Sequence, residues 1–518
     1  MHAAKFGPFW SARSSKPSNG LSKAFCIEAI SRATGTTVPF IHPDRISNSY
    51  EAVVIGSGFG SFFFLHEFLK KKRPGRVLVV EWGAYRDHDW QVKNKANSVL
   101  DTDSLYTKNS NEKPWHYSIA FGGGTNCWWA QCPRNHPNDF RLKSKYGVGT
   151  DWPLSYDELA PFYREAEQVM LIAASDEVAA HYPGTGPYAQ PPHRMNDIDR
   201  IMKAAQPDMH FPMPNGRLSR AVGPRNACCG TAECRWCPVD AKFTALNSMQ
   251  HVIEHPDLDI CIESKVEHID VENNVAKSIR FFHDGKEYAA RGDLIVLGAN
   301  GIHSPLLMLQ SGFNHPLIGR YLHEKIECTV EAYLDGVKNF SGSTITTCMN
   351  LSLLDGDHRK DYGAALLLFE NSWMYGMRPE YGRWREVLPI TINVEALPQL
   401  ESIVTRGSDG RPHVSFPKQS DYGLKGVQAA LDKLPKVLAP LPVERVEVRQ
   451  VDSISVHLQG TLRMGHDRAE SVVDAGQVHH DVRNLVAVGS SVFPSSGSAP
   501  PSLTVAALSL RAAHLLQS

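Results

Sequence analysis

Two hydrophobic periods run along this chain. Tyr50–Ile55 is a short apolar run that predicts a buried strand. It breaks at Gly56-Ser57-Gly58-Phe59-Gly60 and resumes as a helix-length apolar stretch over 61–72. Pro74-Gly75 then punctuates the chain, and a second apolar run over 76–80 ends at Glu81. Strand, glycine turn, helix, strand is a βαβ unit with a right-handed crossover. Residues 152–173 predict a helix, with Pro153 near its start and Tyr156, Leu159, Phe162 and Tyr163 at helical spacing. Over 266–297 the period becomes that of strands, with Asp284-Gly285 as a hairpin turn. Residues 298–309 predict a loop running into a helix. The stretch 321–449 mixes strand-like runs with Pro and Gly and carries no readable motif. Residues 482–517 read as strand, loop and a long Ala/Leu-rich helix.

A chain of 518 residues exceeds one ordinary core, so two intimately connected domains are expected. The balance of 54 basic against 55 acidic residues gives no electrostatic reason for a nucleic acid or an anionic membrane as partner. No apolar run approaches the roughly 20 residues of a membrane span. Residues 1–48 read as an N-terminal extension. Its first 40 residues carry Lys5, Arg13, Lys16, Lys23 and Arg32 against Glu28, without the apolar core of a secretory signal. A cytoplasmic protein is the expectation, with an organellar transit peptide as the alternative. Ten cysteines in that setting suggest a reducing compartment, where clustered cysteines are metal ligands or redox groups more often than disulfides.

The glycine turn carries the first chemistry. Gly56 permits the tight turn, Gly58 lets a pyrophosphate approach the backbone, and the helix amides bind its charge. Gly60 follows, and Ser61 occupies the last small-residue position of the motif. Glu81, at the end of the second strand, is placed to accept from ribose hydroxyls. The turn predicts nucleotide binding without separating FAD from NAD.

Four further segments make that separation. Phe121-Gly122-Gly123-Gly124-Thr125-Asn126, Gly298-Ala299-Asn300-Gly301-Ile302-His303-Ser304-Pro305, His457-Leu458-Gln459-Gly460-Thr461 and Gly489-Ser490-Ser491-Val492-Phe493-Pro494 with Ser502-Leu503-Thr504 stand in order along the chain. Together with the first turn they resemble the glucose–methanol–choline (GMC) oxidoreductases from about residue 50 to 518. Tyr146-Gly147-Val148-Gly149 and Asp151-Trp152-Pro153 are most similar to its sugar and glycoside dehydrogenases and pyranose oxidases.

The resemblance implies an α/β (α+β overall) fold: a Rossmann-like FAD-binding domain and a substrate domain built on a large, mostly antiparallel sheet. We expect the FAD domain at 49–150, 220–318 and 450–518, and the substrate domain at 151–219 and 319–449. The implied FAD contacts are Gly56, Gly58, Gly60, Ser61, Glu81, Gly123, Gly124, Thr125, Asn126, Cys127, Val266, Ala299, Ser304, Gly489, Ser490, Ser502 and Leu503.

Alcohol oxidation needs a base for the hydroxyl proton, a C–H aimed at flavin N5 and groups that stabilise the reduced ring. The resemblance makes His457 the base; the bland alternative is a core histidine, one of 23 in the chain. The family's second His or Asn falls here at Pro500, which offers no side-chain donor and no backbone N–H. Asn126, His303 and Arg463 are candidate replacements. Cys127 stands where pyranose oxidases carry a flavin-linked histidine, so non-covalent FAD is expected, with Cys127 a small buried hydrophobe. Trp129, with Trp115 and Trp128 nearby, is a candidate platform for a sugar ring, although large aromatics also simply fill cores.

Cys228, Cys229, Cys234 and Cys237-Pro238 form a tight cluster resembling the cysteine loop of FAD sugar dehydrogenases that carry an iron–sulfur cluster, but one residue shorter. An iron–sulfur cluster on Cys228, Cys234 and Cys237, zinc, or no metal all stand as readings. A cluster would pass electrons to an acceptor protein. The expected reaction is oxidation of an alcohol on a sugar, glycoside or cyclitol. Alternatives are a lyase or decarboxylase, an oxidase of an aromatic, aliphatic or sterol alcohol, and a flavin-binding protein without turnover.

Overall fold

A computed structural model describes residues 40–71, 75–373, 375–452 and 455–517. Most of the N-terminal extension, and Pro74 of the expected turn, lie outside the described residues.

The βαβ unit forms where the pattern predicts it. Strands Tyr50–Ile55 and Val77–Val80 pair in parallel and flank the helix Phe59–Phe68. The helix starts two residues earlier than the apolar pattern suggests because Gly58 itself is the N-cap. Around this unit, among the described residues, a seven-stranded sheet runs in the order Leu258–Cys261, Val77–Val80, Tyr50–Ile55, Lys286–Leu297, Val275–His283, Ser264–Glu272, with Leu485–Ala487 added parallel to Lys286–Leu297. Its central strands are buried on both faces, as parallel strands covered by helices must be.

Lys286–Leu297 joins the parallel and antiparallel parts of this sheet. Its first half is the return arm of the hairpin from Val275–His283. Its second half pairs in parallel with Tyr50–Ile55. Asp284 and Gly285 both take positive φ, 49° and 78°, as a two-residue hairpin turn requires. The predicted later elements appear as helices Tyr156–Met170, Asn300–Gln310 and Ser502–Leu515.

The stretch without a readable motif supplies most of a second, antiparallel sheet, in the order Val443–Val451, Ile326–Leu334, Val387–Val394, Ala365–Glu370, Thr346–Asn350, His210–Pro212. Its strands alternate. Cys328, Val330, Ile390, Ile392, Leu367 and Phe369 face a core closed by the helix Asp421–Val437, an element the sequence reading did not anticipate. Intervening positions, among them Glu327, Thr391, Asn393, Leu368 and Glu370, line a cavity. One side of the sheet is therefore core and the other is chamber wall. No helix among the described residues is long and apolar enough to cross a membrane.

Candidate active site

A single cavity of about 970 Å³ runs from the first glycine turn to the face of the second sheet. Gly56 opens it. Its φ of +88° belongs to the left-handed region, and an added Cβ would sit 2.7 Å from the Gly298 carbonyl oxygen, so only glycine fits. Gly60 lies as close to the other segment, with a built Cβ 2.7 Å from the Gly489 amide nitrogen. Ser61, fully buried, packs against Gly298 and does not line the cavity.

The cavity fits a dinucleotide at this end. The helix Phe59–Phe68 has no side-chain cap on its N-terminal amides, which leaves donors for a phosphate. A Cβ on Gly58 would meet nothing within 4 Å, and the same holds at Gly124. Both glycines leave a bare backbone surface against the cavity. Glu81 also lines it. Its Oε2 accepts from the Ser57 amide (2.9 Å) and hydroxyl (2.7 Å), and its Oε1 from the Gly83 amide (2.6 Å). Burial nevertheless pushes this carboxyl up.

Of the other residues expected at the cofactor, Gly123, Cys127, Val266, Ala299, Gly489, Ser490 and Ser502 line the cavity. Thr125, Asn126, Ser304 and Leu503 lie behind it, each buried. Thr125 hydroxyl donates to the Gly122 carbonyl (2.7 Å) and accepts from the Ala245 amide (3.0 Å), and the Asn126 side chain donates to the Phe121 carbonyl (2.9 Å). Thr125 and Asn126 thus brace the second glycine turn. Burial raises the Cys127 thiol, keeping it protonated.

His457 and Pro500 line the same cavity, as do Trp128 and Trp129. Trp129 is 45% exposed and is the aromatic face available at the wall. Trp115, by contrast, is fully buried against Phe416 in a separate core cluster. Tyr146 and Trp152 also serve structure: the Tyr146 hydroxyl donates to Asp355 and the Trp152 indole to Ser495.

Burial, reinforced by Lys325 and Lys113, holds the His457 imidazole well below its ordinary range, so it is neutral at pH 7. Its backbone N–H donates to Glu324 Oε2 (3.2 Å), and Glu324 is in turn paired with Lys113. The replacements expected for Pro500 divide. His303 lines the cavity and contacts the Tyr117 hydroxyl (3.0 Å); burial pushes it down to about 3. Asn126 is committed to its backbone bond. Arg463 stacks over Tyr321, 4.3 Å from the ring centroid, away from the cavity lining.

Sequence reasoning missed the polar groups of the second sheet. Lys325, buried, places Nζ 3.3 Å from His457 Nδ1 and 3.4 Å from the Ala499 carbonyl oxygen. Glu370, also buried, accepts from the Thr346 hydroxyl (2.9 Å), which accepts from Gln131 (2.7 Å). Burial and Glu327 push the Glu370 carboxyl up to about 8 despite the Thr346 bond. The one available signal was charge at the start of a strand: Glu324-Lys325-Ile326-Glu327 interrupts an apolar pattern.

Cys228, Cys234 and Cys237 do not line the cavity, although Arg235 between them does. Cys234 and Cys237 are buried and Cys228 is half-buried. Cys237 Sγ accepts from the Ala241 amide (3.3 Å), and burial raises the Cys228 and Cys234 thiols. Among the described residues, the compact set of potential ligand atoms, all within 4.8 Å, is instead Asp199, His210 and Cys348. There Asp199 caps its own helix and pairs with His210 at 3.2 Å.

Residues 96–327 and 416–509 match the N- and C-terminal sequence profiles of the GMC oxidoreductases. The chain is 27% identical to the fructose dehydrogenase large subunit of Gluconobacter japonicus, over 90% of this chain and 98% of that one. It is 24% identical to the 6'''-hydroxyparomomycin C oxidase of Streptomyces lividus, over 92% and 93% of the two chains. Among solved structures, pyridoxine 4-oxidase from Mesorbium loti superposes with a TM-score of 0.64 at 16% identity, covering 90% of this chain and 99% of that one. A formate oxidase gives 0.65 at 15% identity, over 91% and 99%. The chain belongs to the GMC oxidoreductase family, and is a flavoenzyme of the class that acts on CH–OH groups.

Proposed function

We propose that this enzyme oxidises an alcohol on a sugar, glycoside or cyclitol to a carbonyl, with His457 taking the hydroxyl proton. The observation that carries this reading is that His457 lines the same cavity as the uncapped helix turn at Gly58. FAD, held by the turn at Gly56–Gly60, Glu81 and the second turn at Gly123–Gly124, supplies a two-electron acceptor when bound. The chain's own residues do the rest. A neutral imidazole at His457 is ready to accept a proton. Thr346, Gln131, Glu370 and Asn393 offer both donors and acceptors to a polyhydroxylated substrate, and Trp129 offers a flat apolar face. The relatives that act on fructose and on hydroxyparomomycin agree with a ring-bearing polyol.

Anaerobic mixing of the yellow holoenzyme with a panel of sugars, glycosides and cyclitols tests the reading. At least one should bleach the flavin, and His457→Ala should slow bleaching about 100-fold or more. A flavin that stays oxidised with every member of the panel refutes the substrate class. Iron and labile-sulfide analysis of the purified protein decides the reading of the cysteine loop: absence of both removes the cluster and leaves dioxygen, a quinone or a soluble carrier to take electrons from the flavin directly.

A further inference from the structure

We propose that Lys325, in the segment that leads into the strand Ile326–Leu334, is the proton-accepting partner of His457. The inference rests on His457 being the base.

Lys325 Nζ lies between His457 Nδ1 and the carbonyl oxygen of Ala499, the residue immediately before Pro500. Lys325 thus joins the His457 segment to the segment that carries Pro500. The lysine is fully buried, yet it lines the cavity.

Two nitrogens 3.3 Å apart share one hydrogen. If Lys325 is an ammonium, it donates to Nδ1; the imidazole then carries its proton on Nε2 and offers a substrate no lone pair. If Lys325 is an amine, Nδ1–H donates to Nζ, and Nε2 keeps its lone pair for the substrate hydroxyl. Only the second arrangement is a base. Burial makes it accessible, pushing Lys325 down to about 8, with Glu324 and Glu327 opposing. The charged and titratable groups around the pair are Glu324, Glu327, Lys113 and the two partners themselves. Glu324 is held by Lys113 and by the His457 amide.

The step balances. The substrate O–H bond breaks and its proton goes to His457 Nε2. The Nδ1 proton passes to Lys325 Nζ, forming the ammonium. The carbinol hydrogen leaves with its electron pair to oxidised FAD, and the C=O bond forms. Afterwards Nε2 releases its proton to water in the cavity and the ammonium returns its proton to Nδ1, which restores the starting arrangement. Lys325 is in this sense a positioning and relay residue, acting through His457.

The test follows the anaerobic rate of flavin reduction against pH, using D-fructose or whichever polyol of the panel bleaches fastest. For the unmodified enzyme the rate should rise with pH to a plateau, with an apparent pKa near 8. Lys325→Met should lower the plateau about 10- to 100-fold and move the limb to more acid pH, because the limb then reports the imidazole, which burial holds below its ordinary range, instead of the lysine. Lys325→Arg should be slower still, with no recovery at high pH, because a guanidinium cannot release its proton and locks Nδ1 as acceptor. Equal rates for Met and Arg, with the limb unmoved, would overturn the relay. If His457→Ala reduces as fast as the unmodified enzyme, the reading of the base itself fails; a large effect there with inert Lys325 variants sinks the relay alone.

Competitive acetylation of the holoenzyme with acetic anhydride, read by peptide mass spectrometry, needs no variant. Lys325 should label with a midpoint near pH 8. A midpoint near that of ordinary surface lysines also overturns the proposal.

Discussion

Glu81 grips Ser57 twice, by its amide and by its hydroxyl, at 2.9 and 2.7 Å. The acid at the end of the second strand thus buttresses the glycine turn from behind, whatever it also offers a ribose. Glu81→Ala would strand three buried donors, the amide and hydroxyl of Ser57 and the Gly83 amide, each worth about 1–3 kcal/mol. Flavin content, read as the ratio of visible to ultraviolet absorbance, should fall together with the melting temperature. Retention of both would make the acid a bystander.

Gly56 and Gly58 should fail in different ways. Gly56→Ala meets the Gly298 carbonyl and a left-handed φ, so the apoprotein itself should melt lower. Gly58→Ala finds open space, so the apoprotein should melt as before while FAD affinity drops at least tenfold. Equal melting losses in the two apoproteins would contradict the assignment of Gly58 to the cofactor.

Glu370 predicts a pH signature. Its carboxyl is ordinary in the unfolded chain, near 4.5, and raised to about 8 in the fold. The native state therefore holds a proton that the unfolded state has lost, and stability declines as pH climbs from about 4.5 to about 8. Glu370→Gln removes that decline. Its melting temperature should match the parent at pH 4.5 and exceed it by a few degrees at pH 8. A gain that is constant across that range would rule out the titration.

Arg359 is fully buried, with its guanidinium shared among Asp139, Asp355 and Glu395. Replacing one partner of such a network leaves buried charge behind, at a cost of about 3–5 kcal/mol. Arg359→Met should unfold in correspondingly less urea. A shift under about 1 kcal/mol would mean that the carboxylates find other partners.

The parts read from sequence are those whose chemistry is local. The turn at Gly56, the hairpin at Asp284-Gly285 and the His457 segment each carry their meaning within a few neighbouring residues, because backbone conformation fixes which residue types fit. Lys325 and Glu370 were invisible for the opposite reason. Lys325, just before the strand Ile326–Leu334, and Glu370, at the end of another, reach the cavity wall only when segments distant in sequence come together. Thr125, Asn126, Ser304 and Leu503 show the converse: a motif marks the neighbourhood, but not which of its side chains line the cavity. The helix Asp421–Val437 was missed because Gly423, Gly426 and Pro435 weaken its propensity; burial against the sheet overrides them.

The second sheet has a consequence for how such an enzyme diversifies. Because alternate residues of one strand answer to unrelated demands, a lineage can exchange Glu327, Thr391 or Asn393 for new specificities while Cys328, Ile390 and Ile392 keep the scaffold folded. Drift in ligand preference is thereby uncoupled from loss of the fold, and a library confined to those chamber-facing positions is the economical route to altered substrates.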